Sequence, residues 1–214
     1  MRYKEREKMK KYLAFVVMGL MATAAFAGTQ NTSSNTVSPT LQVSANVQSA
    51  VRLTLSTGTA ATPHCTVTPL GTPDYSVDFG TVDALAINAP TCGSVFAPTT
   101  PGSSNAIYWS DYNLTPVFAG QSTPNNTITA KVTTNFTAAD IAVVRDSANS
   151  ATVPTAVGQF TPLATGAVPD TIVTNAANGQ AQTRFIGVAV SPTNGAGTLT
   201  GAQTATVTFT LTVQ

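Results

Sequence analysis

The sequence predicts an all-β protein, and three observations support a single β-sandwich. Stretches in which apolar and polar residues alternate recur along the chain, as in strands whose successive side chains point to opposite faces. Clusters rich in Pro, Gly and Asn, such as STPNN and SPTNGAG, separate these stretches and are typical of turns. About 187 residues follow position 27, which is enough for one such domain.

Residues 1–27 have the three parts of a secretory signal peptide. Six basic residues between Arg2 and Lys11 precede an apolar stretch that ends in Ala25-Phe26-Ala27, a typical cleavage pattern. The apolar run of about fourteen residues is too short for a membrane-spanning helix. We therefore expect cleavage after Ala27, export of the remaining chain through the periplasm, and no membrane insertion.

The segment from Thr40 to Ser56 reads as one continuous strand, because apolar or small residues occupy every odd position. At about 3.3 Å per residue it would reach some 50 Å, longer than a small sandwich is tall. One interpretation is a long strand, broken near Ser49 and Ala50, that crosses from one sheet to the other. The other is an arm over residues 28–50 that leaves its own domain and adds a strand to a neighbour's sheet. The boundary between arm and first domain strand stays open at this stage, and the residues predicted to face the acceptor are Leu41, Val43, Ala45, Val47, Val51 and Leu53.

Cys65 and Cys92 are the two cysteines of the chain, and an oxidising compartment favours a disulfide between them. A metal site would need further ligands. The bridge would close a loop of 28 residues, for which chain entropy predicts about 3 to 4 kcal/mol of stabilisation.

The remaining apolar pattern predicts strands in DYSVDFGTVDALAI, NNTITAKVTTNF and TRFIGVAVSP. The aromatic-rich stretch AIYWSDYNLTPVFAG is also predicted to be strand. TAADIAVVRD fits either a short helix or a strand. The chain closes with GAQTATVTFTLTVQ, in which the threonines face one way and an apolar set faces the other. The members of that apolar set that we assign to a C-terminal acceptor strand are Val207, Phe209, Leu211 and Val213.

Composition and motifs predict a structural protein that is not an enzyme and needs no cofactor or metal. After residue 27 the chain keeps four basic residues and seven aspartates, so it lacks the clustered basic side chains that bind nucleic acid. No G-x-S-x-G elbow, phosphate loop or HExxH motif is present. His64 reads as a turn residue, and the aspartates of DYSVDFGTVD lack the spacing of a calcium loop. Trp109 is expected in the core, with a sugar-binding platform as the alternative.

Several short segments resemble the spore coat protein U domain, which is shared with the major pilins of archaic chaperone-usher pili. They are VRLTLSTG, CTV, VDFGTVDA, AVVRDSANS, and FIGVAVSPTNGAG followed by ATVTFTLTVQ. The resemblance implies an incomplete immunoglobulin-like sandwich that is completed by donor-strand exchange, with copies of itself, a periplasmic chaperone and an outer-membrane usher as partners. Cys92 departs from the pattern, because it lies in a loop-like stretch instead of closing a strand.

The resulting hypothesis divides the chain into a signal peptide (1–27), a linker and donor arm (28–50) and a pilin domain (51–214). The protein would polymerise into an extracellular, cell-surface filament for attachment or biofilm formation. The alternatives are a monomeric secreted binding module of adhesin or lectin type, a coat or matrix protein that assembles without a chaperone and usher, and a secreted hydrolase. A binding module would expose Trp109 and pair its arm within its own sheet.

Overall fold

A computed structural model of the chain describes residues 42–45, 50–119, 125–192 and 201–214. The chain divides into two units, Met1–Val47 and Gln48–Gln214. In the first unit, residues 42–45 are exposed and belong to no strand, and Val43 is 83% exposed. The predicted signal peptide, with Leu41 and Val47 of the predicted donor set, lies outside the described residues.

The regular secondary structure of the second unit is almost entirely antiparallel strand, which confirms the all-β prediction. Its one helical element in the described residues is a 3₁₀ turn at Val157–Gln159. The strands are β1 (Val51–Thr57), β2 (Thr68–Pro69), β3 (Tyr75–Ser76), β4 (Ser94–Phe96), β5 (Ala106–Phe118), β6 (Thr127–Thr134), β7 (Ile141–Asp146), β8 (Phe160–Pro162), β9 (Asp170–Val173), β10 (Gln182–Val190) and β11 (Thr206–Thr212).

These strands form two main sheets and a small hairpin. The larger sheet has the order β1-β5-β10-β7-β8, with β4 also paired to β5, and the smaller has the order β11-β6-β9. β2 and β3 pair with each other. Along β5, β4 pairs with residues 107–109 and β1 pairs with residues 112–118, so β4 and β1 share one edge of the larger sheet.

The two main sheets pack face to face around the principal core, which makes the fold a β-sandwich. Tyr112 and Leu114 of β5 lie in one cluster with Ile128, Ala130 and Val132 of β6. These residues are spaced two apart on their strands, so each strand directs one face inward. The alternation seen in the sequence therefore specifies the faces of β5 and β6.

A second cluster covers the other face of the larger sheet around Trp109, which is 4% exposed. The indole stacks on Phe96 with ring centroids 5.4 Å apart and meets Phe160 and Phe185 at 5.9 and 5.8 Å. Gly187 pairs with Trp109 across the strands, and a Cβ there would collide with the carbonyl oxygen of Tyr108. Trp109 is thus a core residue.

The chain between β1 and β2 crosses the edge of the larger sheet in the gap between β1 and β4. Ala61 packs in the Trp109 cluster, whereas Val67 packs in the principal core. At the crossing, the amides of Ala60 and Ala61 donate to Oδ2 of Asp111 at 2.6 and 3.1 Å. The carboxylate of this buried aspartate therefore fixes the path of the crossing segment.

The predicted disulfide is present and ties this crossing to β4. Cys65 and Cys92 are joined with Cα atoms 4.8 Å apart, and Cys92 lies in an irregular stretch two residues before β4. Between Cys92 and β4, Gly93 has φ +72°, and a Cβ there would collide with the carbonyl oxygen of Trp109. Glycine is required at this point by both the conformation and the close approach.

The structure corrects two predictions of secondary structure. The strand from Thr40 to Ser56 is not continuous: residues 42–45 and Ala50 are not strand, and β1 begins at Val51. In DYSVDFGTVDALAI only Tyr75–Ser76 is strand. Apolar alternation cannot create a strand where no neighbouring strand supplies hydrogen-bond partners. The segment TAADIAVVRD, whose sequence fits either a helix or a strand, contains strand β7.

Candidate assembly site at the open edge of the sandwich

The first and last strands of the domain, β1 and β11, are edge strands of different sheets and lie next to each other. Within the described residues, β1 pairs only with β5, and β11 pairs only with β6. We call this side of the sandwich the open edge. Its half-buried apolar side chains, which pack against the principal core, are Leu53, Leu55, Val207, Phe209 and Leu211.

β11 has one apolar and one polar face. Val207, Phe209 and Leu211 are half-buried, and the threonines at alternate positions from Thr206 to Thr212 are exposed. The hydroxyls of Thr133 on β6 and Thr208 lie 3.1 Å apart on the outer face. The strand is thus held in a register that turns its apolar side chains toward the sandwich interior, as predicted from the sequence.

Tyr112 forms the floor of the open edge beneath Phe209. The two rings are tilted with centroids 5.6 Å apart, and Tyr112 is buried. Burial raises the pKa of the Tyr112 hydroxyl, so the phenol stays neutral. The half-buried apolar side chains of the open edge and the neutral phenol beneath them therefore suit contact with other apolar side chains.

The other edge of the smaller sheet is joined to the larger sheet by two arginines. Arg145 of β7 pairs with Asp170 of β9 at 3.0 Å, and Arg184 of β10 donates from Nε to the carbonyl oxygen of Ile172 at 2.9 Å. Asp170 also accepts the amide of Ala164 at 2.7 Å. These polar contacts across the sheets close the β9 side, in contrast to the apolar β11 side.

We predict that Asp170→Asn destabilises the domain by about 1 to 2 kcal/mol at neutral pH and much less in acid. The hydrogen bond from Arg145 lowers the pKa of Asp170 although partial burial opposes it. A carboxyl whose pKa is lower in the folded state stabilises the fold above its unfolded pKa of about 4, and this stabilisation is lost as the pH falls through the folded value. Thermal unfolding from pH 7 down to pH 2 measures the difference. Asp74→Asn, at an exposed aspartate of the β2–β3 hairpin, is the control, and a constant Asp170→Asn effect across this range would contradict the prediction.

The predicted donor residues do not all lie in one segment. Val43 and Ala45 are exposed and outside any strand. Val51 and Leu53 lie in β1 and pair with Phe118 and Pro116 of the same chain. In the single chain the backbone of these two residues is therefore part of the domain's own sheet, and their assignment to a donor strand stays a prediction.

His64 and Asp83, which were weighed as metal-binding or catalytic candidates, make hydrogen bonds to the backbone of neighbouring loops. His64 is exposed beside the disulfide, with Nδ1 3.2 Å from the carbonyl oxygen of Ala61. Asp83 accepts the backbone amides of Leu85, Ile87 and Asn88. Among the described residues, no three His, Cys, Asp or Glu side chains are grouped to hold a metal ion.

The predicted acceptor residues Val207, Phe209 and Leu211 come together at the open edge, and Val213 follows them half-buried. Sequence reasoning missed their counterparts on β1, Leu53 and Leu55, although their alternation with polar residues was visible. It also missed Tyr112 as the floor. The sequence does indicate that Tyr112 lies on the inward face of the long strand β5. It does not indicate which strands pack over Tyr112, because that depends on the topology of the sheets.

No protein-family model matches the chain, and no significant match is found among curated proteins or solved structures. In the described part of the chain, none of the helical structure has the length and apolar character needed to cross a bilayer.

Proposed function

We propose that this protein is a secreted structural subunit whose sandwich is completed by the N-terminal arm of another copy, so that copies join into an extracellular filament. The observation that carries the proposal is the open edge, where two neighbouring edge strands present half-buried apolar side chains. An additional strand with one apolar face would cover these side chains and pair with unpaired backbone.

The arm has the pattern that this site requires. Leu41, Val43, Ala45 and Val47 alternate with polar residues, and Val43 is exposed in the single chain. Complete burial of one large apolar side chain contributes about 1.5 to 3 kcal/mol, and covering the open edge would bury groups on both strands. An exposed apolar strand without a partner would instead promote aggregation.

The resemblance to spore coat protein U domains and archaic pilins supports the same assembly. In that family the missing strand is supplied first by a periplasmic chaperone and then by the next subunit, after passage through an usher. We place the present protein in this class of surface filament, which serves attachment or biofilm formation. A coat or matrix protein that assembles without a chaperone and usher is the second candidate, and the same open edge favours it.

Deletion of residues 28–47 tests the proposal. The deletion stops before Ala50, whose carbonyl oxygen accepts the amide of Ala119 at 2.9 Å. Size-exclusion chromatography and negative-stain microscopy of protein starting at Gly28 should show multimers or filaments, and the deleted form should be monomeric. Val43→Asp should act like the deletion, whereas Ser44→Asp, which adds the same charge to the opposite face of the arm, should assemble. Folded monomers from the full mature chain would contradict the proposal and favour a monomeric binding module.

A further inference from the structure

The two ends of the sandwich are defined by the long strand β5. At one end, which we call the arm end, Phe118 of β5 pairs with Val51, where the N-terminal arm joins the domain. At the other, which we call the loop end, β5 begins at Ala106. Ala106 and Phe118 are twelve residue steps apart, so the two ends are separated by about 40 Å.

A loop held by several hydrogen bonds presents apolar side chains at the loop end. The carboxylate of Asp83 accepts the amides of Leu85, Ile87 and Asn88 at 2.9, 3.1 and 2.8 Å. The amide of Asp83 donates to the hydroxyl of Tyr108 at 3.1 Å. Tyr108 lies near the start of β5 and is completely buried. On this support, Leu85 is 46% and Ile87 is 77% exposed. Residues 83–88 form what we call the apolar loop.

The direction of the last strand decides which ends meet in a filament. β11 runs toward the arm end, because Thr212 pairs with Thr127 and the following Gln214 donates its amide to Asn126. Asn126 in turn accepts the amide of Ala176, and nearby Asn178 accepts that of Phe118 at the arm end. An inserted arm can run either parallel or antiparallel to β11.

Only one of these directions gives an open filament. If the arm ran parallel to β11, it would leave at the arm end, and the arm ends of two copies would meet. Such a contact uses the same surface twice and closes as a pair. If the arm ran antiparallel to β11, it would leave at the loop end, so the arm end of one copy would meet the loop end of the next. That contact is heterologous and repeats without closure.

We propose that the apolar loop is the second contact between successive copies and packs against the arm end of the copy whose arm fills the open edge. This inference rests on the proposed function. The arm end offers matching apolar surface, since Val51 is 53% exposed and both Ala50 and Ala119 are exposed. Burial of Ile87 and Leu85 against these residues removes two exposed apolar side chains from water.

Photocrosslinking in the assembled, full mature chain tests this contact. Ile87 is replaced with p-benzoyl-phenylalanine in one variant, and Val168 in the control. Val168 is also exposed, at 81%, but lies in the β8–β9 connection, on the β9 side of the sandwich. After irradiation, the probe at position 87 should join two copies, and peptide mapping should place the attachment within residues 50–52, 117–119 or 176–180. The control should give no product with these residues.

The outcomes separate this inference from the proposed function. If multimers form normally but the probe at position 87 attaches to other surfaces or to none, the apolar loop is not the second contact and the exchange of arms stands. If the unmodified mature chain forms no multimers, the proposed function itself fails. Substitution at position 87 changes an exposed loop side chain, so the variant should unfold at nearly the same temperature as the unmodified protein.

Discussion

Replacing both cysteines by serine is expected to lower the free energy of unfolding by about 3 to 4 kcal/mol. Cys65 and Cys92 are 27 positions apart, and their bridge restricts the unfolded chain. In the folded domain it also holds the crossing segment, in which Cys65 donates its amide to the hydroxyl of Ser110 at 2.7 Å. For a domain of this size the melting temperature should fall by about 10 °C.

Thermal unfolding monitored by circular dichroism, with and without a reducing agent, measures this effect. The reduced natural chain should match the double Cys65→Ser, Cys92→Ser variant, and the variant itself should not respond to reductant. Equal melting temperatures for the oxidised natural chain and the variant would show that the bridge does not stabilise the domain.

Phe209→Asp is expected to abolish the acceptance of an arm and also to lower the melting temperature of the domain, because part of the ring already packs against Tyr112. Circular dichroism of the purified variant shows whether it is folded before assembly is measured. Phe209 is half-buried above Tyr112 at the open edge, and an inserted strand would bury an aspartate there among apolar side chains. Burial of an unpaired charge is far more costly than burial of an apolar ring. Thr210→Asp, on the exposed outer face of the same strand, is the matched control and should assemble normally.

Mixtures of subunits reveal the direction of the contact. A Phe209→Asp subunit keeps its own arm, so it can donate to an unmodified copy but cannot accept from one. Added at a small fraction, it should terminate growing chains and shorten filaments in electron micrographs. Filaments of unchanged length, with the variant incorporated throughout, would show that Phe209 is not part of the acceptor surface.

Much of the strand pattern could be predicted from the sequence because apolar side chains recur along the strands and alternate where only one face is buried, as in β6 and β11. β5, β6 and β11 lie within segments predicted to be strands, and β10 begins one residue before its predicted segment. The disulfide was expected from two cysteines in an oxidising compartment. The alternation of Tyr75, Val77 and Phe79 was misleading. Beyond Ser76 this segment is irregular, and its apolar side chains pack against the core clusters as parts of a loop.

The open edge could not be derived from the sequence, because it depends on which strands become neighbours. Leu53 and Phe209 lie far apart in the chain, and nothing in their local sequence places β1 beside β11. The boundary of the arm was equally undetermined, since alternation continues without interruption across Ala50 and Val51. In the described residues, β1 pairs with β5 from Val51 onward, and the carbonyl oxygen of Ala50 also accepts the amide of Ala119.

The most direct test of the open edge is binding of a synthetic peptide of residues 38–50 to the protein that lacks residues 28–47. Fluorescence anisotropy should show saturable binding of one peptide per domain, and the bound domain should melt at a higher temperature. A peptide carrying Val43→Asp should not bind, whereas one carrying Ser44→Asp should. If the folded, arm-deleted domain binds none of these peptides, the sandwich does not accept a donor strand and the account of assembly is wrong.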